Sequence, residues 1–536
     1  MNLKTRIAIL LLLICVGLRA QQKEFWLIDV HTSQKKITKD SAQAVKFLDS
    51  LVENSYFFTQ VKNVKKEGHI THIFYDKGEN YNQAQVKLSD SLSYFLSLKK
   101  DFFTRNLDSL KKVIHQKYKE KGFAFNRVKT KYLGIQDKIP WVQVDVIIHQ
   151  QRKIDGFVLK GYEKLPRRFV KNLEKEFRGR IYDEKNILTI NQRLVSHPFV
   201  ALEKPPQTLF TKDSTQVYLF LRKKKSNTFD GMLGFGNNAS EKFSLNGNLH
   251  VDFKNLMNGF EKISIFWQRN PDRGQTFDLQ TDVPYLLKSN IGINTRINVF
   301  RQDSTFANVK ILPSLYYQIS HRQKIGIRGN FEVSSVLAAQ YSQGQDYDKK
   351  GLGLWYEFSE PTDIELFLYK TRILLEGDWL KTSYTQSAKN VGQSRYFLLA
   401  ERNLQLIGNH YLNIKTETAF LNTQAELSTN ELFRVGGWNS FRGFNENSLL
   451  GDLYAFGGAE YRYLVNRQAF FDVFAQYGFL HNRVAHLRST LYSFGLGFNF
   501  FLPVGLMSFQ ISNGTSSGNP IQFNETKIHW GILTRF

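Results

Sequence analysis

From Phe229 to the C-terminus the chain keeps a two-residue period and loses any helical one. Segments of about ten residues alternate apolar and polar side chains, with polar turns between them. Ile291, Ile293, Ile297 and Val299 share one face of such a segment, and Gly292, Asn294, Arg296 and Asn298 share the other. Ile325, Ile327, Phe331 and Val333 oppose Gly326, Arg328, Asn330 and Glu332 in the same way. Leu412, Ile414 and Phe420 oppose Asn413, Lys415 and Glu417, and Ile263, Ile265 and Trp267 oppose Lys262, Ser264 and Gln268. Strands with one apolar and one polar face suit two architectures. A soluble sandwich turns the apolar face inward and the polar face to water. A membrane barrel inverts that, with lipid outside and a polar lumen. Alternation is common to both.

Three further features favour the barrel. Lys4 and Arg6 precede a twelve-residue apolar run, Ile7 to Leu18, and Ala20 before Gln21-Gln22 is a cleavage edge. That is a secretory signal, since a spanning helix needs about 20 apolar residues. Cys15, the only cysteine, lies inside this run and leaves with it. The exported chain then has no disulfide, thiolate metal site or cysteine nucleophile. Aromatic residues make up 14% of the chain, with 45 Phe and 24 Tyr, as aromatic girdles at a membrane surface require. The last segment, Lys527 to Phe536, has spanning length and puts Ile528, Trp530, Ile532 and Phe536 on one face. Its His529-x-Gly531-x-x-Thr534-x-Phe536 pattern resembles the β-signal read by outer-membrane assembly machinery, with Thr534 departing where an apolar residue is usual. At roughly 19 residues per strand and connection, 229–536 holds about 16 strands, an even number as such barrels have.

Charge divides the chain. Residues 21–225 carry 40 basic and 22 acidic side chains, net +18, whereas 226–536 carry 29 and 26, net +3. The surplus suits acidic client segments or anionic headgroups, or is simply a solvated basic surface. An exported chain meets little nucleic acid, so none is expected as a partner.

Residues 21–225 read as small α+β units. In the third, 151–225, a strand from Lys153 to Tyr162 precedes helices at Arg167–Phe177 and Asp183–Val195, then strands at Phe199–Leu202 and Gln216–Arg222. In the second, 81–150, a helix from Leu107 to Lys121 ends at Gly122, and strands follow at Phe123–Tyr132 and Trp141–His149. The first, 21–80, is the faintest, with a helix at Asp40–Val52 and strands at Tyr56–Lys62 and His69–Tyr75. Tyr118-x-x-x-Gly122-Phe123-Ala124 resembles the helix-to-strand turn of POTRA (polypeptide-transport-associated) domains. Ile154-x-Gly156-x-Val158-x-x-Gly161, followed by Leu165-Pro166, resembles their first strand and helix. The resemblance implies sheet edges to which an extended client adds a strand. Generic α+β domains without a client are the alternative.

The sharpest local signal is Gly436-Gly437-Trp438-Asn439-Ser440-Phe441-Arg442-Gly443-Phe444. It resembles the Gly-Gly, Arg-Gly-Phe/Tyr element of the BamA/TamA outer-membrane assembly superfamily, which there tips a long extracellular loop folded back into the lumen. Glu460, within Gly457-Gly458-Ala459-Glu460-Tyr461, and Gln476, within Phe474-Ala475-Gln476-Tyr477-Gly478, fall where that superfamily carries a glutamate and an aspartate. A guanidinium in a lumen needs a carboxylate or several acceptors, so Glu460 and Gln476 are the candidate partners of Arg442. Gln476 supplies only a neutral acceptor, a departure that favours an accessory copy over an essential insertase.

No enzyme constellation appears. Glu460 and Asp472 are isolated carboxylates in sequence, and His69 and His72 fall on opposite faces of a strand. There is no metal motif, nucleophile elbow or phosphate loop. No catalytic residue, metal or cofactor is expected. The expected architecture is a signal segment (1–20), three POTRA-like units and an outer-membrane barrel (226–536). The resemblance implies a factor that receives unfolded clients in the periplasm and inserts them through a seam between Phe229–Asn237 and Lys527–Phe536. Its partners would be the outer-membrane lipid bilayer and unfolded outer-membrane or secreted proteins, with other envelope assembly factors left open. A transporter for one dedicated partner and a passive porin are the rival readings.

Overall fold

The computed structural model describes residues 24–535, apart from 138, 238–242, 270–273, 363, 365, 368, 387–389, 438–439 and 503–504. The signal segment with Cys15, residues Trp438 and Asn439 of the glycine-rich motif, and Phe536 of the terminal pattern lie outside the described residues. The chain forms two compact units: residues up to 155 with 178–188 and 210–215, and residues 156–177, 189–209 and 216–536.

The first unit holds two small α+β layers. In one, β1 (Glu24–Asp29), β2 (Lys35–Thr38), α1 (Ser41–Glu53), β3 (Gln60–Glu67) and β4 (Ile70–Asp76) make a sheet of order β2-β1-β4-β3. Helix α1 starts where the Asp40 carboxylate accepts the N–H of Gln43 at 2.7 Å, and its buried Ala44 joins a core cluster with Leu27 and Tyr75. The other contains β5 (Ala84–Leu88), α2 (Asp90–Leu96), β6 (Asp101–Thr104), α3 (Leu107–Glu120), β7 (Arg127–Gln136) and β8 (Ile139–Ile147), ordered β6-β5-β8-β7. The alternate valines Val142 and Val144 bury completely against Leu107 and Ile114. Helix α3 stops before Gly122, whose φ of +85° terminates it without strain. Two expectations are corrected. Residues 123–126 form a turn, because the Asn126 amide donates to the carbonyls of Phe123 and His115, so the strand begins only at Arg127. Residues 56–59 likewise precede β3, and the seven-residue α2, with Leu92 and Leu96 inward, is too short for its periodicity to declare itself.

The second unit holds β9 (Gly156–Gly161), α4 (Arg167–Phe177), α5 (Glu184–Val195) except its first turn, and β10 (Val200–Phe210) and β11 (Thr215–Lys223) except their outer ends; the strands form a sheet of order β10-β11-β9 under buried Phe169, Leu173, Phe177, Ile190 and Leu194. This layer is seated on the turn at 255–261. The Tyr162 hydroxyl donates to Asn258 at 2.9 Å and accepts from Asn255 at 3.0 Å, and Phe260 packs on Phe169 with ring centres 5.3 Å apart. His197 joins the same aromatic cluster, 4.8 Å from Phe260. Burial, reinforced by Arg193 and Lys224, pushes its imidazole down to about 3, so it packs as a neutral ring.

The rest of this unit is a closed antiparallel barrel. Among the described residues it has sixteen strands, as the length implied. They are β12 (Thr228–Asn237), β13 (Phe243–Lys254), β14 (Lys262–Arg269), β15 (Gly274–Val283), β16 (Ile291–Gln302), β17 (Phe306–Ser320), β18 (Gln323–Val336), β19 (Tyr347–Glu360), β20 (Thr371–Tyr384), β21 (Asn390–Ile407), β22 (His410–Asn422), β25 (Leu453–Asn466), β26 (Ala469–Asn482), β27 (Leu487–Leu502), β28 (Gly505–Ser516) and β29 (Lys527–Arg535). A two-strand ladder, β23 (Phe433–Val435) with β24 (Leu449–Gly451), belongs to the loop between β22 and β25.

The pleat settles which way the faces point. On β26, Asp472 (3% exposed) and Gln476 (6%) are buried while Phe471 (51%), Val473 (60%) and Tyr477 (59%) are exposed. On β18, Asn330, Glu332 and Ser334 are buried while Ile325, Ile327, Phe331 and Val333 are exposed. A water-surrounded sandwich would show the reverse. Exposed apolar rows around a polar interior demand lipid outside. Among the described residues no helix is long and apolar enough to cross a membrane.

Neighbouring barrel strands pair over seven residues (β28 with β29) to fourteen (β19 with β20). The first and last strands, among the described residues, pair over three: Thr228 with Arg535, Phe229 with Thr534, and Asp230 with Leu533.

Candidate lumen-loop site

The described residues of 423–452 leave the end of β22 and turn back inside the barrel, where Asn430, Leu432, Val435 and Phe441 are buried. Gly436 (φ +109°), Gly437 (+98°) and Gly443 (+82°) all adopt left-handed backbone closed to most side chains, which is why the tip is glycine-rich. A Cβ on Gly443 would lie 2.5 Å from the backbone of Asn513, so the tip touches β28 directly. Phe441 is fully buried, edge-on to Phe456 at 5.4 Å, and Phe444 packs beside Gly514.

Between these rings Arg442 projects onto β25 and β26. Its guanidinium donates to Glu460 at 2.8 Å and lies 3.4 Å from the centre of the Phe474 ring. Ion pairing and a cation–π contact therefore act on one side chain in a desolvated setting. The other oxygen of Glu460 accepts from Arg462 at 2.6 Å, and Arg462 also donates to Asn403 at 2.8 Å. Glu460 thus bridges two guanidinium groups. Gln476 has a different task from the one its position suggested. Its hydrogen bonds go to backbone and not to the guanidinium. Its Oε1 accepts the backbone N–H of Arg442 at 2.8 Å, and its Nε2 donates to the Ser440 carbonyl at 3.3 Å. It holds the backbone of the tip, a job a neutral amide does better than a carboxylate because it both accepts and donates. Asp472, isolated in sequence, sits opposite Arg462 in the strand register and accepts from Asn499 at 2.9 Å.

The base of the same loop carries a second anchor that sequence reasoning missed. Residues Ser428 to Glu431 form a capped turn wholly inside the barrel. Glu431 accepts from Lys349 on β19 at 2.8 Å, Tyr384 on β20 at 3.1 Å and Gln393 on β21 at 3.2 Å. Asn430 donates to Ser334 on β18 at 2.6 Å, and its carbonyl accepts from Asn308 on β17 at 2.7 Å. Five consecutive strands converge on two residues. No local motif announces this, because the partners lie 38 to 122 residues away. Around them, Arg328 and Arg395 clasp Asp378, and Lys310, Arg395 and Tyr347 meet Glu332.

In the terminal strand, His529 pairs with Gln510 and Gly531 with Ser508 of β28. His69 lies just before β4 and His72 within it. Among the described residues no group of three or more His, Cys, Asp or Glu is placed to hold a metal.

A sixteen-strand barrel with a buried polar face, a loop returned into its interior and small α+β layers ahead of it defines an outer-membrane type of fold. The crystal structure of BamA from Haemophilus ducreyi lacking POTRA domains 1–3 shares it: TM-score 0.52 at 12% identity, over 85% of this chain and 100% of that one. CdiB from Acinetobacter baumannii aligns with TM-score 0.49 and 14% identity over 84% of this chain and 89% of its own, and CdiB from Escherichia coli with 0.47 and 12% over 92% and 97%. The fold is that of the BamA-type barrel. No protein-family model and no curated protein matches the sequence.

Proposed function

We propose that the chain resides in the bacterial outer membrane, with residues 21–225 as three POTRA-like units in the periplasm, and inserts or translocates other polypeptides there. The observation that carries this reading is the seam: among the described residues three pairs join β12 to β29, where every other barrel pair has at least seven. A barrel gains stability by having no free edge, so a seam this short is the place where it opens at least cost. Clients add first to the periplasmic sheet edges. The edge strand β3 is exposed along its whole length and suits strand addition. The parted β12 and β29 then template client strands into the bilayer. Burial of the client's apolar surface and closure of its own edges supply the driving force. No nucleotide is required. The interior loop, tied at tip and base, speaks against a passive porin.

The test has two arms. Phe229→Cys and Thr534→Cys are register partners across the seam. Oxidation of this pair should stop client insertion, and reductant should restore it. Depletion of the protein should lower many barrel proteins in the outer membrane together. Loss of a single secreted protein with other barrels intact would sink the insertase reading in favour of dedicated secretion. Full activity of the oxidised pair would remove the seam from the mechanism.

A further inference from the structure

The connection between β19 and β20 opens at the same end of the barrel as the start of β12, the end opposite the Arg442 loop. Its described residues Leu366 (7% exposed) and Phe367 (5%) are buried. With Ile364 of the same connection they share an apolar cluster with Tyr411 on β22, Leu464 on β25, Phe470 on β26, Phe501 on β27 and Leu506 on β28, two to six strands further round the barrel from β20. Phe367 meets Tyr411 and Phe470 edge-on, with ring centres 5.3 and 5.6 Å away. These side chains point inward as one apolar cluster, distinct from the Phe441–Phe456 cluster that seats the loop tip, and the connection supplies its covering residues. Asn403 holds the far end of the connection by donating to the Tyr369 carbonyl at 2.7 Å.

Arg462 links this patch to the loop. Its guanidinium lies 4.9 Å from the centre of the Phe367 ring and 5.6 Å from that of Phe470. The same guanidinium binds Glu460 at 2.6 Å, and Glu460 binds Arg442 at 2.8 Å. The connection at one mouth and the loop from the other therefore end on two consecutive inward-facing residues of β25.

We propose that Leu366 and Phe367 are a plug at the periplasmic mouth, coupled through Arg462 and Glu460 to the Arg442 loop, so that releasing one loosens the other. The plug holds a pore shut, whichever client the barrel serves. A bilayer current requires no client, so its outcome is separate from the fate of the insertase reading.

The probe is potassium chloride current through the full chain in planar bilayers, alongside labelling of Ser440→Cys at the loop tip by an impermeant maleimide. Heat-shifted gel mobility confirms a folded barrel in every variant. Leu366→Ala with Phe367→Ala should raise the current at least ten-fold and the labelling rate several-fold. Phe367→Leu, which keeps apolar bulk, should stay near the parent current and guards against loss of folding in the double variant. Arg462→Lys keeps charge but loses the flat group shared by Phe367, Glu460 and Asn403, and should raise labelling. An unchanged current in folded double variant overturns the plug. A raised current with unchanged labelling in both variants overturns the coupling.

Discussion

Two walls of the barrel hold the same loop by different means. Strands β17 to β21 grip its base through Asn430 and Glu431, and β25 to β28 grip its tip through Arg442, Phe441 and Gly443. At the tip the central carboxylate has two cations, since Glu460 binds both Arg442 and Arg462. At the base Glu431 binds a single cation, Lys349, and both side chains are almost wholly inaccessible, at 0% and 3% exposed. Losing Arg442 leaves Glu460 still paired, whereas losing Glu431 strands Lys349. The wall at the base is also the better tied, by the Arg328, Asp378, Arg395 and Glu332 pairs. The wall at the tip continues into β29 and the three-residue seam. A loop whose release strands no charge at the wall beside the seam, but does so at the other wall, can let go at the tip while staying registered at the base.

The largest effect should follow from breaking the base. Glu431→Ala leaves Lys349 without its carboxylate and removes the acceptor of Tyr384 and Gln393. Stranding one member of a buried pair costs about 3–5 kcal/mol. The expected result is a clear fall in the temperature at which the folded band is lost on unheated-versus-heated gels, and rapid protease cleavage within 423–452. Glu431→Gln, which retains some hydrogen bonding, should fall between. If Glu431→Ala behaved like the parent, the base would be an incidental contact and the asymmetry would disappear.

Arg442→Ala should do less. Glu460 keeps Arg462, so no carboxylate is stranded, and the losses are one charge-assisted hydrogen bond and one cation–π contact, together about 2–4 kcal/mol. Cleavage should rise near the tip while the gel transition of the barrel barely moves. The double variant Arg442→Ala with Arg462→Ala removes the redundancy and should approach the damage of Glu431→Ala. Equal damage from Arg442→Ala alone would mean that Arg462 does not compensate, and that the tip, not the base, sets the loop's position.

The same asymmetry governs what could be read from the sequence. The tip was legible because its demands are local. Left-handed backbone at Gly436, Gly437 and Gly443 and an arginine between aromatics leave a compact trace, and Glu460 follows eighteen residues later. The barrel was legible because the pleat imposes its period on every strand, and the strand number followed from length. The direction of the faces needed the structure, since Asp472 and Val473 alternate identically in a sandwich and in a barrel. The base anchor left no trace, because Lys349, Tyr384 and Gln393 are ordinary residues on three strands that only barrel closure brings together around Glu431. The Leu366–Phe367 patch was hidden for the same reason, its partners being spread over five strands. In the small layers the boundaries failed where a side chain, such as the Asn126 amide, bound backbone and displaced a strand.

Gln476 offers the finest test of the tip. It was expected to receive the Arg442 guanidinium and instead cradles backbone on both sides of Phe441, accepting from Arg442 N–H and donating to the Ser440 carbonyl. Gln476→Ala removes two neutral hydrogen bonds, about 1 kcal/mol each, and should produce a small rise in tip cleavage, below that of Arg442→Ala. Gln476→Asp keeps an acceptor for the N–H and places a negative charge near Arg442, yet it cannot donate to Ser440 and is one methylene shorter. Gain and loss nearly offset, so its cleavage rate should fall between the parent and Gln476→Ala. Strong protection in Gln476→Asp would show that charge outweighs backbone support at the tip, and that the glutamine leaves the loop more loosely held than a carboxylate would. Release in Gln476→Ala as complete as in Arg442→Ala would show the reverse: the backbone clasp, rather than the ion pair, would be what keeps the tip on the wall beside the seam.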